Sequence, residues 1–320
     1  MLDKGVMIFW RTVLLGLLSF SILTHLSTTA TLNNLKTDTK KVRVNNVEIY
    51  YREFGRSDAP AIVFLHGFGG SSYDWKYIFT ELKNKYRCIA IDIPPFGLSE
   101  KAKNFDYSDM SIVQTIMGVL DILKVKKFTL VGHSMGGYLS IVISAIYPQR
   151  IEKLVLFDAA YNVPSNRADV GDSSRLQDVS GQSFLDDDKN LKLFQFLLDI
   201  GIKTYPAFKF VYRNALSEGE LFDSEHFDYL FAQNYFLPAE ILIKFSQDKM
   251  KQTPLEINLD KIYAKTLIIY GEKDNITPPS IGEYLSKNIK NSTFIVIPGE
   301  GHMPLSNTLA IDELVKFLSK

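Results

Sequence analysis

The chain has 320 residues, 46% of them hydrophobic, enough apolar material for one large α/β domain with an insertion and no compositional ground for disorder. Its 36 Lys and Arg residues balance 36 Asp and Glu, so the chain offers no electrostatic footprint for nucleic acid, and no nucleic-acid partner is expected. The single cysteine, Cys88, excludes an intramolecular disulfide. Its setting in Tyr86–Ile91 predicts a core thiol in a buried strand.

Residues 1–30 read as a targeting segment. Lys4 and Arg11 precede the uncharged apolar run Val13–Leu23, and Thr28-Thr29-Ala30 supplies small residues where a signal peptidase would cut. A signal peptide is the favoured reading and a retained N-terminal membrane anchor the second, because residues 6–12 can lengthen the apolar run toward a bilayer span. Either makes the protein exported or membrane-anchored, with membrane association through residues 6–26. A buried N-terminal helix of a cytosolic protein is the third reading. Residues 31–40 are polar and predict a linker.

Two β-rich runs, 41–44 and 47–54, flank Asn45-Asn46 and predict a hairpin. Ala61–Leu65 is an unbroken apolar run suited to a central strand covered on both faces. It ends in His66-Gly67-Phe68-Gly69-Gly70, and a helical stretch through Trp75 and Leu82 follows. The next strand, Arg87–Ile93, runs into Asp92-Ile93-Pro94-Pro95, where Asp92 reads as tying down its own turn. A helix over 110–123 leads to the apolar run Phe128–Val131.

That run opens into Gly132-His133-Ser134-Met135-Gly136-Gly137, followed by the apolar Tyr138–Ile143. A strand, a glycine-dense Gly-x-Ser-x-Gly turn and then a helix form a nucleophile elbow. Gly132 and Gly136 let strand and helix backbones approach closely, as Gly67 does for the earlier loop. Ile151–Phe157 is a further strand ending at Asp158. From 161 to 255 the strand–helix rhythm stops, replaced by a polar stretch (166–188) and helical segments rich in Phe and Tyr. Alternation resumes with a strand at 266–270, a helix at 280–288, a strand at 293–297 and a last helix. The pattern predicts an α/β fold: a mainly parallel central sheet with helices on both faces, built from residues 41–160 and 256–320, plus an inserted helical cap or lid over 161–255.

Serine needs a base, usually histidine, oriented by an acid. Of the five histidines, His25 lies in the targeting segment, His66 and His133 belong to glycine turns, and His226 sits among aromatic residues of the insertion. His302 remains, directly after the last strand, where a sheet of this type gathers its site residues. Asp274, just past the strand 266–270, is the favoured acid, and Asp158, also at a strand end, is its rival. Backbone N–H groups of Met135 and Phe68 are the candidate oxyanion donors.

The four patterns His66–Gly70 with Trp75, Asp92-x-Pro94, Gly132–Gly137, and Asp274 with Gly301-His302 resemble the α/β-hydrolase fold superfamily, of its lid-bearing serine esterase and lipase-like kind. The resemblance covers about residues 41–320. It implies a Ser134–His302–Asp274 triad, an acyl-enzyme, and neither metal nor organic cofactor. Relatives usually carry glycine after Asp-x-Pro, where this chain has Pro95. Haloalkane dehalogenases and epoxide hydrolases resemble the fold but place aspartate at the elbow, so Ser134 argues against both. The expected substrate is a small apolar carboxylic ester, on the strength of the aromatic insertion. A C–C bond hydrolase, an aminopeptidase or an acyltransferase would use the same triad, and a non-catalytic binding protein on this scaffold is the reading from another class.

Overall fold

The computed structural model describes residues 24–34, 36–164, 195, 203–216, 224–253 and 255–320. Asn45 and Asn46 both take positive φ, 49° and 64°, as a two-residue hairpin turn requires, and Asn tolerates that region better than most residues. The turn pairs β1 (Lys40–Val44) with β2 (Val47–Phe54) in an antiparallel register closed by Val44 opposite Val47. Six more strands complete one sheet: β3 (Ala61–Leu65), β4 (Arg87–Ile91), β5 (Phe128–His133), β6 (Ile151–Phe157), β7 (Lys265–Gly271) and β8 (Ser292–Ile297). Their order is β1-β2-β4-β3-β5-β6-β7-β8, antiparallel as far as β4 and parallel from there to β8.

Alternating side chains of the central strands divide the core into two layers, because successive strand residues point to opposite faces. Val63, Leu65, Leu130, Leu156 and Ile268 pack with α3 (Asp109–Ile122), α4 (Met135–Ile146) and α8 (Pro279–Asn288). Ile62, Phe64, Val131, Phe157 and Ile269 pack with α2 (Lys76–Leu82) and α9 (Thr308–Leu318). Both faces are therefore covered, which explains why these strands read as continuous apolar runs. Cys88 is wholly buried in β4, and burial pushes its thiol up to about 12, the signature of an inert core cysteine.

Between β6 and β7 the described residues form α5 (Tyr205–Leu216), α6 (Ser224–Tyr235) and α7 (Ala239–Lys251). Phe208, Leu230 and Phe231 are buried together, with Tyr205, Tyr212, Phe227 and Tyr235 packed around them. The aromatic wealth of the insertion thus serves its own small core. Helix α7 is fastened to the start of α3. Tyr107 N donates to Asp248 Oδ2 at 3.0 Å, Asp109 N to Gln252 Oε1 at 2.7 Å, and Gln252 Nε2 to Asp109 Oδ2 at 2.8 Å, while Lys249 pairs with Asp109. The polar stretch 166–188 and the rings of Phe194, Phe196 and Phe222 lie outside the described residues.

The linker expected over 31–40 needs correction. Residues 24–34 are helical (α1), so the boundary at residue 30 falls inside a helix. Polar composition suggested a linker, yet the Thr31 hydroxyl donates to the carbonyl of Ser27 at 3.1 Å, which satisfies it within the helix. The His25 ring lies 5.9 Å from Tyr235 and 5.6 Å from Phe236, holding α1 against the insertion. Residues 1–23, the rest of the segment whose composition suggested targeting, lie outside the described residues. Among the described residues no helix is long and apolar enough to cross a membrane.

Candidate active site

Ser134 stands between β5 and α4 with φ 51° and ψ −116°. Positive φ is strained for a non-glycine residue and persists only where the surroundings enforce it. They do so here: Ser134 N donates to Phe157 O at 3.0 Å, and Ser134 O accepts from Tyr138 N and Ala160 N at 3.0 Å each. The flanking glycines are required by contact. A Cβ on Gly136 would lie 2.1 Å from Leu65 O, and one on Gly132 would lie 2.3 Å from Gly136 O. Any side chain there would push the head of α4 away from the sheet.

The loop after β8 carries His302, and the loop after β7 carries Asp274. His302 Nε2 lies 2.9 Å from Ser134 Oγ, and His302 Nδ1 lies 2.7 Å from Asp274 Oδ2. Asp274 Oδ2 also accepts from the Thr277 hydroxyl at 2.7 Å, while Oδ1 accepts from Ile276 N at 2.8 Å and Thr277 N at 3.0 Å. Burial by itself would raise this carboxyl. The His302 hydrogen bond and charge, with the Thr277 bonds, outweigh it and hold Asp274 below the usual carboxylate range. Because Nδ1 faces a carboxylate, it carries the imidazole proton and leaves Nε2 as the acceptor for the serine hydroxyl. Ser134, His302 and Asp274 are 8%, 4% and 3% exposed, so the chain of bonds is nearly closed to water.

The other histidines hold the frame. His133 Nε2 donates to His302 O at 2.7 Å, and burial followed by the nearby His302 charge pushes it down to about 3, so it stays neutral. His66 Nε2 accepts from Ile93 N at 2.8 Å, and its Nδ1 lies 2.7 Å from Gly67 O. Asp92 ties down more than its own turn, accepting from Leu98 N at 2.8 Å and from Ser72 N at 2.7 Å. Pro95 follows Pro94 through a cis bond in that same turn. A Cβ on Gly67 would come 3.2 Å from Ser134 Cβ, so this loop backbone lies against the serine and Phe68 follows beside it.

A cavity of about 590 Å³ opens beside Phe68 and Met135, the neighbours of this site, and is within the usual size range of ligand sites. Phe68, Met135, Phe245, Leu255 and Ile257 line it, and Asp109, Lys249 and Gln252 add a polar wall. Of the insertion's described rings, Tyr161 and Phe245 line this cavity.

Two further contacts escaped the sequence reading. His226 Nε2 of α6 lies 3.1 Å from Asp74 Oδ1, both residues being buried, and Asn234 Nδ2 donates to Gly69 O at 2.9 Å. Ser71 and Asp74 form a capping box, a local pattern that could have marked Asp74 as structural. Nothing local marks its partner in α6.

Asp158, Asp274 and His302 place candidate ligand atoms within 4.8 Å of one another, the one described group with metal-like spacing. Asp274 Oδ2 and His302 Nδ1 already bond each other.

A mainly parallel sheet with a serine elbow after its fifth strand and a histidine after its last defines an α/β hydrolase. Residues 60–307 match the model of the alpha/beta hydrolase fold family, and the chain belongs to that family. Among curated relatives, a hydrolase of Bacillus subtilis strain 168, YugF, is 27% identical over 273 residues, covering 82% of this chain and 91% of its own. Epoxide hydrolase 1 of Caenorhabditis elegans is 26% identical over 305 residues, covering 88% of this chain and 70% of its own. Among solved structures, a membrane phospholipase A described as a bacterial virulence factor superposes with a TM-score of 0.73 at 21% identity, covering 98% of this chain and 97% of its own. At that identity the likeness shows the shared fold.

Proposed function

We propose that the protein is a serine hydrolase that cleaves carboxylic esters bearing an apolar acyl group. The observation that carries this reading is the continuous chain from Ser134 Oγ through His302 to Asp274, at 2.9 and 2.7 Å. Ser134 Oγ attacks the ester carbonyl while His302 Nε2 takes the hydroxyl proton. The N–H groups of Phe68 and Met135 receive the oxyanion of the tetrahedral intermediate. Collapse breaks the bond to the alcohol, which leaves with the proton from His302, and Ser134 is acylated. Water, deprotonated by His302, then attacks the acyl group; the acid leaves and the proton returns to Ser134. Asp274 keeps the imidazole oriented and offsets its charge at each step.

The apolar side of the cavity, made by Phe68, Phe245, Leu255 and Ile257, supports an acyl chain, and the polar wall at Asp109 and Lys249 supports a limit on its length. Phe68 and Met135 also border this cavity, which supports its use by the acyl group. Nitrophenyl esters of increasing acyl length should be hydrolysed with kcat/KM rising from acetate and then falling for chains that outgrow the cavity. Absence of turnover with every ester would overturn the reading. An epoxide hydrolase reading, suggested by curated relatives, is less well supported because serine rather than aspartate stands at the elbow.

A further inference from the structure

One buried carboxyl at the site is left unused by the reaction above. Asp158 follows β6, is wholly buried and takes φ 44°. Its Oδ1 accepts from Gly271 N at 2.8 Å, and its carbonyl lies 2.9 Å from the Thr277 hydroxyl, whose one proton is given to Asp274. Its Oδ2 is buried with no hydrogen-bond partner among the described residues. A carboxylate oxygen here costs least when it is either bonded or protonated.

The groups around it leave little choice. Asp274 faces Asp158 from the loop after β7, and His302 and Glu300 lie in the loop after β8. Tyr270 of β7 is also close, but its hydroxyl donates to Ala159 O at 2.5 Å. His302 is the one cationic candidate in this set, and its Nδ1 is committed to Asp274. Two carboxylates in one dry site cannot both keep their charge cheaply. Asp274 holds bonds from Ile276 N, Thr277 N, the Thr277 hydroxyl and His302, whereas Asp158 holds one, from Gly271 N. The charge therefore belongs on Asp274.

We propose that Asp158 is a neutral carboxyl whose Oδ2–H donates to Asp274, a positioning residue that turns the acid behind His302 into a carboxyl pair sharing one negative charge. Asp158, the rival acid by its place at a strand end, is then a support for the acid rather than a substitute. Burial, then the Asp274 charge, pushes the Asp158 carboxyl well above the usual carboxylate range, opposite in direction to Asp274. The donated bond fixes the rotation of the Asp274 carboxylate and tempers the basicity of the oxygens that face His302.

This inference rests on the Ser134–His302–Asp274 reading, and its test has one arm that needs no turnover. In the native protein at neutral pH, the infrared spectrum should contain the carbonyl stretch of a protonated carboxyl, missing from Asp158→Asn. No such band in the wild type would overturn the proposal even if Asp158→Asn failed to fold. The second arm is the pH dependence of kcat/KM. Asn is a neutral donor of the same shape, so the acidic limb for Asp158→Asn should stay within about 0.3 pH units of wild type. Were Asp158 ionised, removing its charge would lower that limb by about one unit or more, which would overturn the proposal. Asp158→Ala strips the donor from Asp274, makes that carboxylate a stronger partner for the imidazolium, and should raise the limb. An Asp158→Ala profile identical to wild type would contradict the positioning role. If Ser134→Ala proves as active as wild type while the infrared band is present, the catalytic reading fails and the protonation of Asp158 stands.

Discussion

Replacing Ser134 with alanine is expected to lower kcat/KM for a nitrophenyl ester by roughly 10⁴–10⁶-fold, the range seen when members of a triad are removed, with the nucleophile at its upper end. The chemistry has no alternative nucleophile at the elbow: Gly132, Gly136 and Gly137 carry no reactive group, and the lone-pair nitrogen of His133, Nδ1, is buried against Gly67. The loss should appear without unfolding. The hydroxyl makes one hydrogen bond, to His302 Nε2, worth about 1 kcal/mol net. The backbone bonds that enforce φ 51°, to Phe157 and from Tyr138 and Ala160, do not involve the side chain. Steady-state kinetics beside a thermal melt checks both parts. A variant within tenfold of wild type would show that ester cleavage does not pass through this serine.

The second large effect concerns stability. Asp74→Ala is expected to cost about 2–5 kcal/mol, because it deprives two buried donors of their acceptor at once. Asp74 Oδ2 accepts from Ser71 N at 3.1 Å, completing the capping box of the turn that follows the His66–Gly70 loop, while Oδ1 lies 3.1 Å from His226 Nε2 of α6. That residue therefore fastens the insertion to the loop carrying Phe68, with Asn234 to Gly69 O as the second fastening. Loss of the pair should lower the thermal midpoint and reduce kcat, since the loop that offers the Phe68 N–H is no longer braced. Asp74→Asn keeps one oxygen acceptor and should lose less. Equal stability of Asp74→Ala and wild type in denaturant titration would show that this contact contributes nothing.

The parts of the site that were legible in the sequence are those whose chemistry is local. The elbow is compressed into one short stretch, with strand, glycines, serine and helix in succession, and the short contacts around Gly132 and Gly136 are the reason those residues stand there. His302 emerged by elimination because the chain holds few histidines. The hairpin was legible because Asn45-Asn46 is suited to positive φ. What escaped depends on distant partners. Asp74 and His226 are 152 residues apart, and no pattern around either residue announces the other. Chain order already favoured Asp274 over Asp158 as the acid; what the sequence did not carry is the set of partners around each, four on the Asp274 carboxylate and one on the Asp158 carboxyl. The aromatic residues of the insertion suggested a pocket lining, but composition cannot distinguish rings that build a core from rings that meet a substrate. Most of the described ones build the core. The polar run 31–40 suggested a linker for a similar reason, since a threonine such as Thr31 can bond its own helix carbonyls as readily as water.

The most direct measurement is mass spectrometry of the folded protein after reaction with a fluorophosphonate. The account predicts a single phosphonyl adduct, mapped by peptide analysis to Ser134, that forms slowly or not at all in His302→Ala. An unmodified protein, or an adduct on any other residue, would contradict it.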